Sequence, residues 1–111
     1  MKKLLSLSLM LLTLSATSQI EQIEGVWESD ESKYLTAIFY SNGKFTFKNV
    51  GESNLKEVVV NQGEDFVTTS LKNPDNNHKV IIKYTLLKSG KMHASFVGDY
   101  RGVIIHRRYN E

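Results

Sequence analysis

Apolar and polar residues alternate along most of the chain from Glu24 onward, and hardly any window repeats with the period of a helix. Strand-like runs cover Glu24–Ser29, Tyr34–Tyr40, Lys44–Val50, Leu55–Asn61, Phe66–Leu71, Lys79–Leu87, Met92–Val97 and Gly102–Tyr109. Turn-forming clusters separate most of them: Ser41-Asn42-Gly43, Gln62-Gly63-Glu64-Asp65, Asn73-Pro74-Asp75-Asn76-Asn77, Lys88-Ser89-Gly90 and Gly98-Asp99-Tyr100-Arg101. The single proline falls in one of these turns, where it removes no ladder hydrogen bond. Short strands at spacings of about ten residues predict an all-β barrel or sandwich. The expected architecture is one small antiparallel up-and-down barrel of about eight strands.

The hydrophobic faces set expectations for register. Val80, Ile82, Tyr84 and Leu86 share one face of the sixth run, and Met92, Ala94 and Phe96 share one face of the seventh. A three-residue loop, Lys88-Ser89-Gly90, pairs Leu86 with Met92 and Tyr84 with Ala94, with glycine in the left-handed position. The same reasoning at Ser41-Asn42-Gly43 joins Leu35, Ala37 and Phe39 to Phe45 and Phe47. A rival two-residue turn at Asn42-Gly43 buries Ile38 and Tyr40 instead. Across Gly98–Arg101, Phe96 is expected opposite Val103, Ala94 opposite Ile105 and Met92 opposite Arg107. The predicted interior is therefore Trp27, Leu35, Ala37, Phe39, Phe45, Phe47, Val80, Ile82, Tyr84, Leu86, Met92, Ala94, Phe96, Val103 and Ile105. So many aromatic rings in a small barrel leave little room for a guest.

The N-terminus changes the composition argument. Lys2 and Lys3 precede an apolar run from Leu4 to Leu14, and Ala16-Thr17-Ser18 supplies small residues before a cut ahead of Gln19. Residues 1–18 therefore read as a signal peptide and 19–111 as the barrel domain. The run is too short for the ~20 residues of a spanning helix, so no transmembrane segment is expected in the mature protein. The expected location is periplasmic or secreted. Loss of the two lysines removes the formal charge of +2, leaving a neutral domain without the basic excess of a nucleic-acid binder. The chain has no cysteine, which excludes disulfides, thiolate metal sites and thiol nucleophiles.

Gly25-Val26-Trp27 opens the first strand and Arg107-Arg108-Tyr109 closes the last. In an up-and-down barrel those strands pair antiparallel, so Trp27 and Arg107 are expected at one end, with the guanidinium over the indole. In these features the chain resembles the lipocalin and fatty-acid-binding-protein superfamily, the calycins, whose members carry Gly-x-Trp on strand one and an arginine packed across it from the last strand. The resemblance implies a structural cap of Gly25, Trp27 and Arg107. It likens Arg107-x-Tyr109 to the Arg-x-Tyr with which intracellular fatty-acid-binding proteins hold a carboxylate. The Phe39-x-x-Asn42-Gly43-x-Phe45 hairpin is similar to one in bacterial lipocalin-like domains. The chain is shorter than lipocalins and has neither their helix after the barrel nor a helical lid after strand one.

Other candidate chemistry is sparse. On the expected register His93 lies across from His106 on the outer face, a solvated pair with too few further ligands for a metal site. His78 is expected to be exposed after its turn. Asp75-Asn76-Asn77 lacks the spaced oxygens and closing glutamate of a calcium loop. Glu28, Asp30 and Glu31 read as an exposed strand end. No Gly-x-Ser-x-Gly elbow or placed carboxylate pair is present, so no catalytic residue, metal or cofactor is expected. The expected function is non-catalytic binding of a small apolar or amphiphilic ligand by Trp27, Phe39, Phe47, Tyr84, Phe96, Arg107 and Tyr109. The alternative is a ligand-free barrel acting as an interaction or inhibitor module in the cell envelope. Its contact surface would be the Asp99-Tyr100-Arg101 tip, a tyrosine flanked by opposite charges.

Overall fold

The computed structural model describes residues 20–51 and 54–110. The expected signal peptide lies outside the described residues. A short 3-10 turn at Ile20–Ile23 precedes eight strands: β1 Gly25–Glu28, β2 Leu35–Ser41, β3 Lys44–Val50, β4 Lys56–Gln62, β5 Val67–Asn73, β6 His78–Leu86, β7 Met92–Gly98 and β8 Gly102–Arg108. All eight predicted runs form strands within about two residues of their expected limits. Alternation of buried and exposed positions is the cause, clearest in β6 and β7, where every second residue enters the core.

The strands form one antiparallel sheet in the order β3-β2-β1-β8-β7-β6-β5-β4, curled into a nearly closed barrel. Closure runs through β1 and β8, where Trp27 pairs with Arg108 and Glu28 with Arg107. The sheet stays open between β3 and β4, which are consecutive in the chain yet share no ladder. Side chains bridge this seam: Asn49 Nδ2 donates to Glu57 Oε1 at 3.2 Å, and Gln62 Nε2 donates to the Gly43 carbonyl at 3.3 Å.

The β6–β7 hairpin has the expected register, with Leu86 opposite Met92, Tyr84 opposite Ala94, and Gly90 at φ 89°. Two other hairpins differ from expectation by one residue. Asn42 and Gly43 have φ of 53° and 78°, the two left-handed residues of a tight two-residue turn. Tyr40 therefore faces Phe45 and Ile38 faces Phe47. Thr36, Ile38 and Tyr40 share the inner parity; Leu35 and Ala37 take the outer one, where Ala37 is nonetheless buried as expected, and Phe39 is half exposed.

At the β7–β8 turn, Gly98 continues the ladder opposite Val80, leaving only Asp99, Tyr100 and Arg101 as the tip. A Cβ at Gly98 would lie 2.7 Å from the Lys79 carbonyl oxygen, and its φ is +131°, so only glycine lets β7 run that far. The shorter turn pairs Phe96 with Gly102, Ala94 with Ile104 and Met92 with His106. Ile104, His106 and Arg108 take the inner parity expected for Val103, Ile105 and Arg107. Val103 and Ile105 are exposed.

The core is one cluster filling the barrel. Ile20 and Ile23 plug one end, and Trp27, Ile38, Phe45, Phe47, Ile82, Met92 and Ala94 lie above them. Burial of such side chains contributes about 1.5–3 kcal/mol each, the main force holding a cysteine-free domain of this size together. Val67, Thr69 and Leu71 of β5 also face inward, as does Glu57 of β4.

Candidate functional site

The two ends of the barrel have opposite characters. At the end where β1 starts and β8 finishes, the plug seals the interior. Trp27 is fully buried and its indole Nε1 donates to the Ile23 carbonyl at 2.7 Å. The Arg108 guanidinium carbon lies 4.1 Å from the Trp27 ring centroid. Its Nη1 donates to the Glu24 carbonyl at 2.6 Å, and Nη2 donates to the Gln22 carbonyl. Gly25 completes the arrangement. Its φ is +136°, and a Cβ there would lie 2.5 Å from Arg108 Nη1. The Gly-x-Trp pattern is thus explained physically: the tryptophan receives the arginine, and the glycine leaves room for it.

The capping arginine is Arg108, one residue later than expected, because the shortened β7–β8 turn shifts the parity of β8. Arg107 points outward, where Nε lies 3.3 Å from Glu28 Oε2 and Nη2 lies 2.8 Å from Asp30 Oδ1. Tyr109 lies beyond the end of β8, exposed, with its backbone N–H donating to the Val26 carbonyl at 2.9 Å. Arg107 and Tyr109 therefore do not line the interior.

At the other end, a cavity of about 500 Å³ opens between the β1–β2, β3–β4, β5–β6 and β7–β8 connections. Leu55, Leu71, Val80, Phe96 and Ile104 give it an apolar floor. Lys33, Lys79, His78 and Glu31 stand among the residues of its rim. Tyr100, from the hairpin tip, also lines it and meets Phe96 edge-on at 5.4 Å between centroids. Of the predicted ligand residues, only Phe96 lines this cavity. Phe47 and Tyr84 are buried deeper, with ring centroids 5.0 Å apart, while Trp27 belongs to the sealed end and Phe39 to the outer surface.

Beside the cavity floor lies a polar cluster that the sequence did not signal. Glu57 is nine-tenths buried, and its Oε2 accepts from Thr69 Oγ1 at 2.7 Å and from the Tyr84 hydroxyl at 2.5 Å. Its Oε1 accepts from Asn49 Nδ2. Burial raises the Glu57 carboxyl above the usual carboxylate range, against the opposing pull of its three donors. Burial also raises the Tyr84 phenol, and the neighbouring Glu57 adds to the shift. His106, expected on the outer face across from His93, is buried at the inner parity opposite Met92. Its ring lies 6.5 Å from that of Tyr84. Burial lowers its pKa to about 4, so the ring is neutral at physiological pH. His93 lies opposite Ile105 instead. Two buried polar atoms of this region, Asn49 Oδ1 and His106 Nδ1, have no hydrogen-bond partner.

Among the described residues, no group of His, Asp or Glu is placed to hold a metal ion, and no helix is long and apolar enough to cross a membrane. Comparison with protein families, curated proteins and solved structures finds no match to this chain.

Proposed function

We propose that this protein is an exported, non-catalytic barrel of calycin type that binds a small apolar or amphiphilic molecule in its open mouth. The carrying observation is the 500 Å³ cavity, whose apolar floor is reached through a charged rim. Its volume lies within the ~300–1,000 Å³ of ordinary small-molecule sites. The sealed end supports the same reading, since the plug and the Arg108–Trp27 contact direct entry to one mouth. The site differs from the one that the Arg-x-Tyr resemblance suggested, because Arg107 and Tyr109 stand outside the barrel. Export rests on the pattern of residues 1–18 alone.

The test is titration of the purified protein with a neutral dye that fluoresces in apolar surroundings. Saturable binding that weakens at least tenfold on Leu71→Trp, which fills the cavity, supports the proposal. Arg107→Ala should leave the affinity unchanged. Binding that ignores Leu71→Trp, or no saturable binding, refutes it.

A second reading is a protein-interaction module. The half-exposed Tyr100 favours it, as do Ile81, Val97, Val103 and Ile105, which are exposed on adjacent strands of the outer face. Cross-linking in the host before lysis separates the two. A specific adduct lost on Tyr100→Ala and kept by Leu71→Trp supports the second reading.

A further inference from the structure

The charge distribution inside the barrel bears on what the cavity accepts. Among the described residues, the buried side chains include one carboxylate, Glu57, and one imidazole, His106, but no lysine or arginine. The arginines on β8 are both engaged elsewhere: Arg108 with Trp27 and two carbonyls at the sealed end, Arg107 with Glu28 and Asp30 outside. Lys33 and Lys79 stand at the rim and are exposed. The interior therefore offers no positive charge to a ligand.

Glu57, Asn49, Tyr84 and His106 lie behind the cavity lining and adjoin it through their strand neighbours. Glu57 pairs across the ladder with Leu71, which lines the cavity. His106 follows Ile104, another lining residue, by two positions on the same face of β8. Tyr34 also lines the cavity and is close enough to Tyr84 to bear on its ionisation. Asn49 and Glu57 sit in the halves of β3 and β4 nearest the mouth.

Glu57 and Asn49 keep spare capacity to accept hydrogen bonds. Glu57 orients the Asn49 amide by accepting from Nδ2, so Oδ1 is the atom left over. Glu57 Oε1 receives one long hydrogen bond and retains lone-pair capacity. Buried acceptors without donors are costly, and a donor brought by a ligand relieves that cost. A carboxylate brought to the same place would face the Glu57 carboxylate with no buried counter-charge.

On the reading of the mouth as a ligand site, we infer that its deep end selects a ligand whose buried terminus donates hydrogen bonds and carries no negative charge. Glu57 and Asn49 are the accepting groups, and the shared ligand chemistry is an O–H or N–H head on an apolar body. Tyr84 and Thr69 act as positioning residues, holding the carboxylate in place through Oε2.

Calorimetric titration of the protein at neutral pH with octanol, octylamine and octanoate tests this, since the three share a chain and differ only in the head. Octanol or octylamine should bind about tenfold more tightly than octanoate, a difference of ~1.4 kcal/mol. Glu57→Gln removes the charge and keeps the shape, so the preference should fall to within about threefold. Octanoate binding as tightly as both other ligands overturns the inference and leaves the mouth reading intact. Failure of all three to bind overturns both. A folded Glu57→Gln protein, checked by circular dichroism, that keeps the full preference also overturns the inference. If that variant does not fold, the wild-type comparison decides alone.

Discussion

Replacing Arg108 by alanine should open the sealed end of the barrel, and the structure allows the cost to be estimated. The guanidinium stacks 4.1 Å from the Trp27 ring centroid at an edge open to solvent, an arrangement worth ~0.5–1 kcal/mol. Its two hydrogen bonds to the Gln22 and Glu24 carbonyls add ~0.5–1 kcal/mol each, because water replaces them in part when the side chain is gone. The aliphatic stem adds packing that alanine does not restore. The expected loss is about 2 kcal/mol, or a melting temperature lower by ~10 °C for a domain of this size. Urea melts followed by tryptophan fluorescence give both numbers, and the signal is unambiguous because Trp27 is the only tryptophan. The emission of folded Arg108→Ala should also shift to the red as the indole gains water. Arg107→Ala removes only exposed ion pairs and should leave the midpoint almost where it was. The reverse order, with Arg107 costly and Arg108 silent, would refute the β1–β8 register and the account of the sealed end.

Other perturbations follow from the same geometry. Gly25→Ala forces a Cβ toward Arg108 Nη1 at a φ that alanine rarely adopts, and should cost about 1–3 kcal/mol in a denaturant melt. His106 is neutral in the fold, with a pKa lowered to about 4 from an unfolded value of 6.5. The stability it contributes is complete above pH 6.5 and is lost as pH falls toward 4. Glu57 acts in the opposite sense, since its raised pKa favours the fold on the acid side, and it cancels when two proteins are compared. Between pH 7 and pH 4.5, the wild type should lose about 2 kcal/mol more than His106→Leu; equal losses would show that burial does not shift the histidine's titration. Tyr84→Phe removes the donor nearest Glu57 and should cost about 1.5–3 kcal/mol at neutral pH, with a smaller loss where the carboxyl is protonated.

The strands were legible because alternation and turn residues agree at each of them. The registers were less so, since they depend on which of two apolar parities faces inward. In β8, Val103 and Ile105 are as apolar as Ile104, and the pattern alone could not favour one set. The deciding feature was Gly98, where the close approach of the Lys79 carbonyl lets β7 run one residue further. At β2–β3 the Asn-Gly pair was the stronger signal, and the attraction of matching Phe39 with the other phenylalanines obscured it. Glu57 could not have been found by pattern. In Lys56-Glu57-Val58-Val59-Val60 the apolar residues at both parities invite burial, and the donors that make a buried carboxylate tolerable come from β3, β5 and β6. The Gly25–Trp27 half of the cap was readable; its arginine inherited the β8 parity and shifted with it.

The open seam has a consequence for how the chain reaches this shape. Every ladder except one joins strands adjacent in sequence and forms as a local hairpin. The exception, β1 with β8, brings together residues 84 positions apart, as the Arg108–Glu24 hydrogen bond measures. That single encounter, which brings Trp27 and Arg108 together, carries the main loop-closure entropy of the fold. The seam, by contrast, is crossed by a covalent connection that no ladder requires. A circular permutant cut between β3 and β4, with the present ends joined, would run β4-β5-β6-β7-β8-β1-β2-β3, the same order as the sheet. Its only non-local pairing would become a hairpin, and the unpaired edges of the barrel would become its first and last strands.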